Sequence, residues 1–205
     1  MTNKGHLFVI SGPSGVGKST IIARILEQRP ELLYSISYTS RPKRGQERDG
    51  VDYHFISEAM FKARIDAGKL TEWAEVHGHF YGTSATFIEK SLTEGNDVVL
   101  DIDVEGARKL LLKYPEAISI FVAPPTMKEL QERLSGRKTD SPDAVERRFK
   151  NARAEMAQVH FYDHVLVNDD LAEVVLKLDL IIDGLVKSPQ TDDTVKSSRC
   201  KARES

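Results

Sequence analysis

Strand-length apolar runs alternate along this chain with segments whose apolar residues recur every three or four positions. The run HLFVIS (6–11) gives way to glycine-rich sequence and then to KSTIIARILEQR, where Ile21, Ile22, Ile25 and Leu26 fall at helical spacing. DVVLDI (97–102) and ISIFVA (118–123) are nearly continuous in apolar residues, as strands buried on both faces are. Between them EGARKLLLK predicts a helix. After Pro124 and Pro125, TMKELQERL predicts another, opened by a capping box with Thr126 at the N-cap and Glu129 three residues on. HVLVN (164–168) predicts a last short strand, and LAEVVLKLDLIIDGLV a closing helix. Strands alternating with helices predict an α/β fold whose mainly parallel sheet is covered on both faces.

Residues 34–83 break the rhythm. They offer short alternating segments, YSISYT, DYHFI, TEWAEV and HFYGT, with one helix candidate at 57–67. This predicts an inserted, mixed or antiparallel subdomain at about 34–83. The core would then comprise 1–33 and 84–187 of a single domain. A polar stretch, SGRKTDSPD, lies between two helices and marks a short lid at about 135–148. From residue 188 the apolar periodicity ends, which predicts a disordered tail over 188–205.

Composition narrows the function classes. Lys and Arg number 29 against 31 acids, so no global basic field calls for nucleic acid, and any anion site must be local. No run of 18 apolar residues predicts a membrane segment. The one cysteine, Cys200, cannot form an intrachain disulfide, which fits a reducing, cytoplasmic setting. Monomer and homodimer stay equally open.

The sharpest local signal is GPSGVGKS: Gly12, Pro13, Ser14, Gly15, Val16, Gly17, Lys18 and Ser19. It matches G-x-x-x-x-G-K-[ST] between a predicted strand and a predicted helix, the setting that a P-loop requires. Its glycines let successive amides face one anion, and the helix adds its positive end. Lys18 is placed to reach the β- and γ-phosphates of a nucleoside triphosphate, and the Ser19 hydroxyl to ligate Mg²⁺. Asp101 and Asp103, in VVLDID, end another buried strand, where carboxylates hold a hydrated metal or a second substrate. Strand alternation predicts that Asp101 and Asp103 share a face. Asp103 could equally cap the helix that follows, and either aspartate could meet the metal.

In order, the chain carries GPSGVGKS, SISYTSRPKR, GVDYHF, EWAEVHGHFYGT, LDIDVEG, IFVAPP, RLSGRKTDS and VLVNDD. Over nearly all of residues 6–185 this set resembles the guanylate kinases, P-loop enzymes that phosphorylate GMP or dGMP from ATP with Mg²⁺. The resemblance implies that the inserted subdomain grips the nucleoside monophosphate. Arg41, Arg44, Tyr53 and Tyr81 match its phosphate-binding positions, and Ser37, Glu72 and Thr83 its guanine-reading ones. Asp101 and Asp103 fall beside them. Two guanidiniums and two phenols suit a dianion, since Arg pairs bidentately with phosphate oxygens and phenols donate without adding charge. An ionised Glu72 would accept guanine N1–H and the 2-amino group together; adenine would leave it unpaired. Arg133, Arg137 and Arg148 match the lid arginines that, with Lys18 and Arg41, are catalytic in the family. Asn168 and Asp169 match the segment beside the adenine of ATP, though both also suit a helix cap. The chain departs from the family's R-x-P-R-x-G-E pattern in RPKRGQE, where Pro42 and Gly45 each fall one place early.

Overall fold

The structure, a computed structural model, describes residues 4–76, 78–136 and 142–184. Arg137, Lys138 and the tail with Cys200 therefore lie outside the described residues.

The apolar runs form one parallel sheet. Its strands are β1 (Leu7–Ser11), β2 (Leu33–Tyr34), β7 (Val98–Asp101), β8 (Ile118–Ala123) and β9 (His164–Val167), in the order β2-β7-β1-β8-β9. Period-two alternation divides its side chains between two cores. Phe8, Ile10, Val99, Ile120, Val122 and Leu166 face α1 (Lys18–Gln28) and α7 (Leu171–Ile182). Leu7, Val9, Val98, Leu100 and Phe121 face α3 (Ala85–Thr93) and α4 (Val104–Lys113). Double coverage is why these strands read as continuous apolar runs. The strands' carboxyl ends lie along one edge, where open α/β sheets bind their ligands.

The second sheet is built from β3 (Tyr38–Thr39), β4 (His54–Phe55), β5 (Leu70–Val76) and β6 (His79–Ser84), in the order β4-β3-β6-β5. It is mixed: β3 runs parallel to β4, while β6 is antiparallel to both β3 and β5. Helix α2 (Glu58–Asp66) starts at Ser57, whose hydroxyl accepts from the Met60 N–H, and it buries Phe61. Two local expectations change. YSISYT is not one segment, because Tyr34 pairs with Val99 in the main sheet and only Tyr38–Thr39 joins the second. Helix α3, capped by Ser84, had not been anticipated.

Helix α5 spans Met127–Ser135 and helix α6 Pro142–Met156, so residues 142–148 of the stretch expected as a lid are helical. Thr126 caps α5 as expected, accepting from the Glu129 N–H at 3.1 Å. The Glu129 carboxylate, however, accepts from the Thr126 hydroxyl at 3.2 Å, so the reciprocal half of the capping box is redirected.

Candidate active site

The donor side is the loop between β1 and α1. Gly15 and Gly17 sit at φ 84° and 101°, a left-handed region that side chains resist, and Gly17 is the N-cap of α1. A side chain at Gly17 would also meet the Asn168 amide nitrogen at 2.5 Å. Lys18 donates to the Gly12 carbonyl at 2.7 Å and stands 3.8 Å from Asp101, bending back over its own loop. Ser19 is exposed one residue further on. Burial pushes the Asp101 carboxyl up, and Lys18 pulls it down. A carboxylate in this setting is stabilised by additional positive charge.

Asp103 does not share a strand face with Asp101. β7 ends at Asp101, and Asp103 caps α4, accepting from the Gly106 N–H at 2.7 Å. The cap geometry settles which of its two sequence readings describes its backbone; the carboxylate still lies close enough to raise the Glu72 pKa.

Asn168 follows β9 and reaches across the sheet. Its amide donates to the Val16 carbonyl at 2.6 Å, and its own carbonyl accepts from Arg133 at 3.2 Å. One residue thus joins the phosphate loop to an arginine in the last turn of α5. The helix cap that it could have been is supplied by Asp170, whose side chain accepts from the Glu173 N–H. Asp169 is exposed, and Arg148 is half-buried on α6.

The acceptor side is set by the register of the second sheet. Glu72 stands opposite Thr83, and Ala74 opposite Tyr81. Residues two apart on a strand share a face at about 7 Å, so β6 presents Tyr81 and Thr83 side by side. Thr83 donates to Glu72 Oε1 at 2.5 Å, and the Glu72 side chain is buried. Burial pushes its pKa up to about 7; the Thr83 hydrogen bond works against that, and the nearby Asp103 adds to it.

Arg41, Tyr53 and Tyr81 come together as expected. The Tyr53 and Tyr81 rings meet edge-on at 5.9 Å, the Arg41 guanidinium lies 5.4 Å from the Tyr53 ring centre, and its Nε donates to the Tyr81 hydroxyl at 3.1 Å. That bond leaves the Tyr81 hydroxyl proton available for an anion. The Arg41 fork, by contrast, points at Glu47, which accepts from both terminal nitrogens at 2.8 Å. Arg41 is only 5% exposed, and the ion pair raises its pKa and lowers that of Glu47. The bidentate face expected for phosphate is therefore occupied by a carboxylate in this structure. Arg44 is exposed on the same loop, and its N–H donates to Glu47 at 2.7 Å. Glu47 and the left-handed Gly45 (φ 51°) between them close the turn, which accommodates the early proline and glycine. Ser37 is half-buried between β2 and β3, its carbonyl accepting from the His54 N–H.

Two carboxylates escaped the sequence reading. Glu47 follows Arg41 by six residues, and only the folded turn shows that they meet. Glu155, on α6, lies against the Ser14 backbone N–H and near Lys18 and Asp103; burial raises its pKa. Its spacing of seven from Arg148, two helical turns, was the available signal.

A pH dependence follows from Glu72. On the expectation, implied by the sequence resemblance, that Glu72 accepts two guanine N–H groups, its carboxyl must be ionised to do so, and KM for GMP is expected to rise as pH falls through about 7. Well below that point the rise approaches tenfold per unit. The measurement is KM for GMP between pH 5.5 and 8.5, with Glu72→Gln as the control for protonation of GMP itself. A wild-type profile parallel to the variant's would rule Glu72 out as the titrating group.

A nucleotide-phosphate cradle at the carboxyl edge of a parallel sheet, facing an inserted sheet with cationic, phenolic and carboxylate groups, defines a P-loop phosphotransferase with a separate acceptor site. Comparison with known proteins specifies which. The guanylate kinase family model matches residues 4–185, and this chain belongs to the guanylate kinase family. It is 49% identical over 179 residues to the guanylate kinase of Symbiobacterium thermophilum, covering 87% of this chain and 85% of that protein. Identity to the Thermotoga maritima guanylate kinase is 46% over 172 residues, covering 84% and 83% of the two chains. The crystal structure of guanylate kinase from Anaplasma phagocytophilum superposes with a TM-score of 0.75 at 30% identity, covering 93% of this chain and 89% of that one. The chain is accordingly a nucleoside monophosphate kinase using ATP and GMP. No helix among the described residues is long and apolar enough to cross a membrane.

Proposed function

We propose that this chain carries out the family reaction, ATP + GMP giving ADP + GDP, with the following division of work. The loop over 12–19 holds the ATP phosphates through its amides and Lys18. Arg44, Tyr53 and Tyr81 hold the GMP phosphate, with Arg41 orienting Tyr81 and adding charge. Glu72 and Thr83 read guanine, joined by Ser37 from the segment between the sheets. A GMP phosphate oxygen attacks the γ-phosphorus, and the bond from that phosphorus to the bridging oxygen of ADP breaks. The attacking oxygen is already anionic, so the chain needs to position it rather than deprotonate it.

Ser19 and Asp101 fit a hydrated Mg²⁺: an exposed hydroxyl at the helix start and a carboxylate stabilised by added positive charge. When bound, the ion would neutralise charge on the β- and γ-phosphates. Arg133, Arg137 and Arg148 would supply cationic charge to the equatorial oxygens. Asn168 ties Arg133 to the phosphate loop, and Asp169, the residue after it, would lie beside the adenine. A cytoplasmic setting fits the single cysteine.

The observation that carries the guanine assignment is the buried Glu72 carboxylate, anchored at one oxygen by Thr83. A coupled assay of ADP release with GMP, dGMP, AMP and no acceptor tests it. Turnover with GMP and dGMP should exceed that with AMP by roughly 100-fold or more. Equal turnover with GMP and AMP would defeat the assignment.

A further inference from the structure

We propose that Gly106, in the first turn of α4, is a specificity-determining position: its missing side chain is what seats the Glu72 carboxylate. The inference rests on Glu72 reading guanine.

Gly106 has no evident backbone reason to be glycine. It lies in a helix and is absent from the left-handed glycines, and its N–H donation to Asp103 is open to any residue but proline. Alanine is the better helix former. What the position does supply is space. A Cβ there would lie 2.9 Å from Glu72 Oε2, 3.4 Å from Glu72 Cδ and 3.3 Å from Asp103 Oδ1. The first distance is too short to persist, so something must move.

The identity of the neighbour decides the consequence. At Gly82 a Cβ would meet the Glu72 carbonyl at 2.9 Å and the Phe61 ring at 3.0 Å, so a side chain there would strain the sheet itself. At Gly106 the atom in the way is the far end of a flexible side chain, which can swing aside at little cost to the fold. Thr83 holds Oε1, so the displacement falls on Oε2. Guanine presents two donors side by side, and both carboxylate oxygens must lie in register with them. A methyl group on α4 would therefore be felt in acceptor choice, not in folding.

Gly106→Ala, Glu72→Gln and the double variant, each with GMP, AMP and ATP kinetics and a melting temperature, test this. Gly106→Ala is expected to lower kcat/KM for GMP by ~10–100-fold, a sub-ångström displacement being costly at a reacting constellation. KM for ATP and activity with AMP should hold within twofold, and the melting temperature should stay level or rise. The double variant should be no worse with GMP than Glu72→Gln alone. GMP kinetics within twofold of wild type, when Glu72→Gln does lose selectivity, would overturn the role of Gly106 and leave the guanine reader standing. So would a lowered melting temperature with equal losses towards GMP and ATP, or fully additive losses in the double variant. Unchanged selectivity in Glu72→Gln would remove the guanine reader, and this inference with it.

Discussion

Glu72→Gln is expected to cut kcat/KM for GMP by roughly 100-fold while leaving KM for ATP within twofold. The side chain keeps its length and can still accept from Thr83, so the register of β5 on β6 is preserved. What changes is the edge offered to the base. One carboxylate oxygen becomes an NH₂ group and faces a guanine donor, so one charge-assisted hydrogen bond is lost and two donors are opposed. Together these cost about 3 kcal/mol, or ~100-fold. ATP is spared because the phosphate loop belongs to the other sheet.

The same substitution has an opposite effect on stability, which separates site from scaffold. In the folded protein Glu72 titrates near 7, against the ordinary carboxyl value of 4.5. Between those values the folded state holds more proton than the unfolded one, so this group's contribution falls as pH rises through that window. At pH 8 the buried charge opposes folding, and neutral Gln should melt no lower than wild type. Steady-state kinetics with GMP and AMP, alongside thermal melting at pH 8, check both halves. An unchanged GMP-to-AMP ratio would remove Glu72 from the acceptor site.

Lys18→Met should lower turnover by about 1,000-fold or more while GMP still binds within about threefold. Lys18 is the cation of the proposed donor cradle; it donates to the Gly12 carbonyl and stands 3.8 Å from Asp101. Its removal takes away a charge that would meet the β- and γ-phosphates. It also leaves the half-buried Asp101 without the cation that opposes its protonation, which weakens the proposed metal site as well. Met keeps most of the apolar stem, so the loop's packing is largely retained. The acceptor groups lie on the second sheet, hence the expectation for GMP. Single-turnover kinetics and calorimetric GMP binding check the two arms; near-normal turnover would mean that the loop is not the donor site.

Legibility in the sequence followed the distance over which each contact acts. The loop over 12–19 was readable because strand, glycines, Lys18 and helix are consecutive, and backbone geometry alone nearly dictates the cradle. Thr126 was readable as a cap for the same reason, since its partner is three residues away. Asp103 had two local readings, and only the end of β7 at Asp101 shows that its backbone is the N-cap of α4. Arg41 was matched to a phosphate-binding position through the family resemblance, and only the folded turn shows that its fork pairs with Glu47. Tyr34 was placed in the wrong sheet because a two-residue strand carries too little pattern to say which edge it joins.

By itself the sequence determined the parallel core, the presence of a separate mixed sheet and the kinase family, since these rest on periodicity and on motifs read along the chain. Tertiary structure alone decided how the groups are paired. Glu72 meets Thr83 through strand register, Asn168 reaches Val16 across 152 positions of sequence, and Gly106 leaves room for a carboxylate on another element. Such pairings depend on where separate elements dock, and docking is fixed by the packing of the two cores, to which no short stretch of sequence has access.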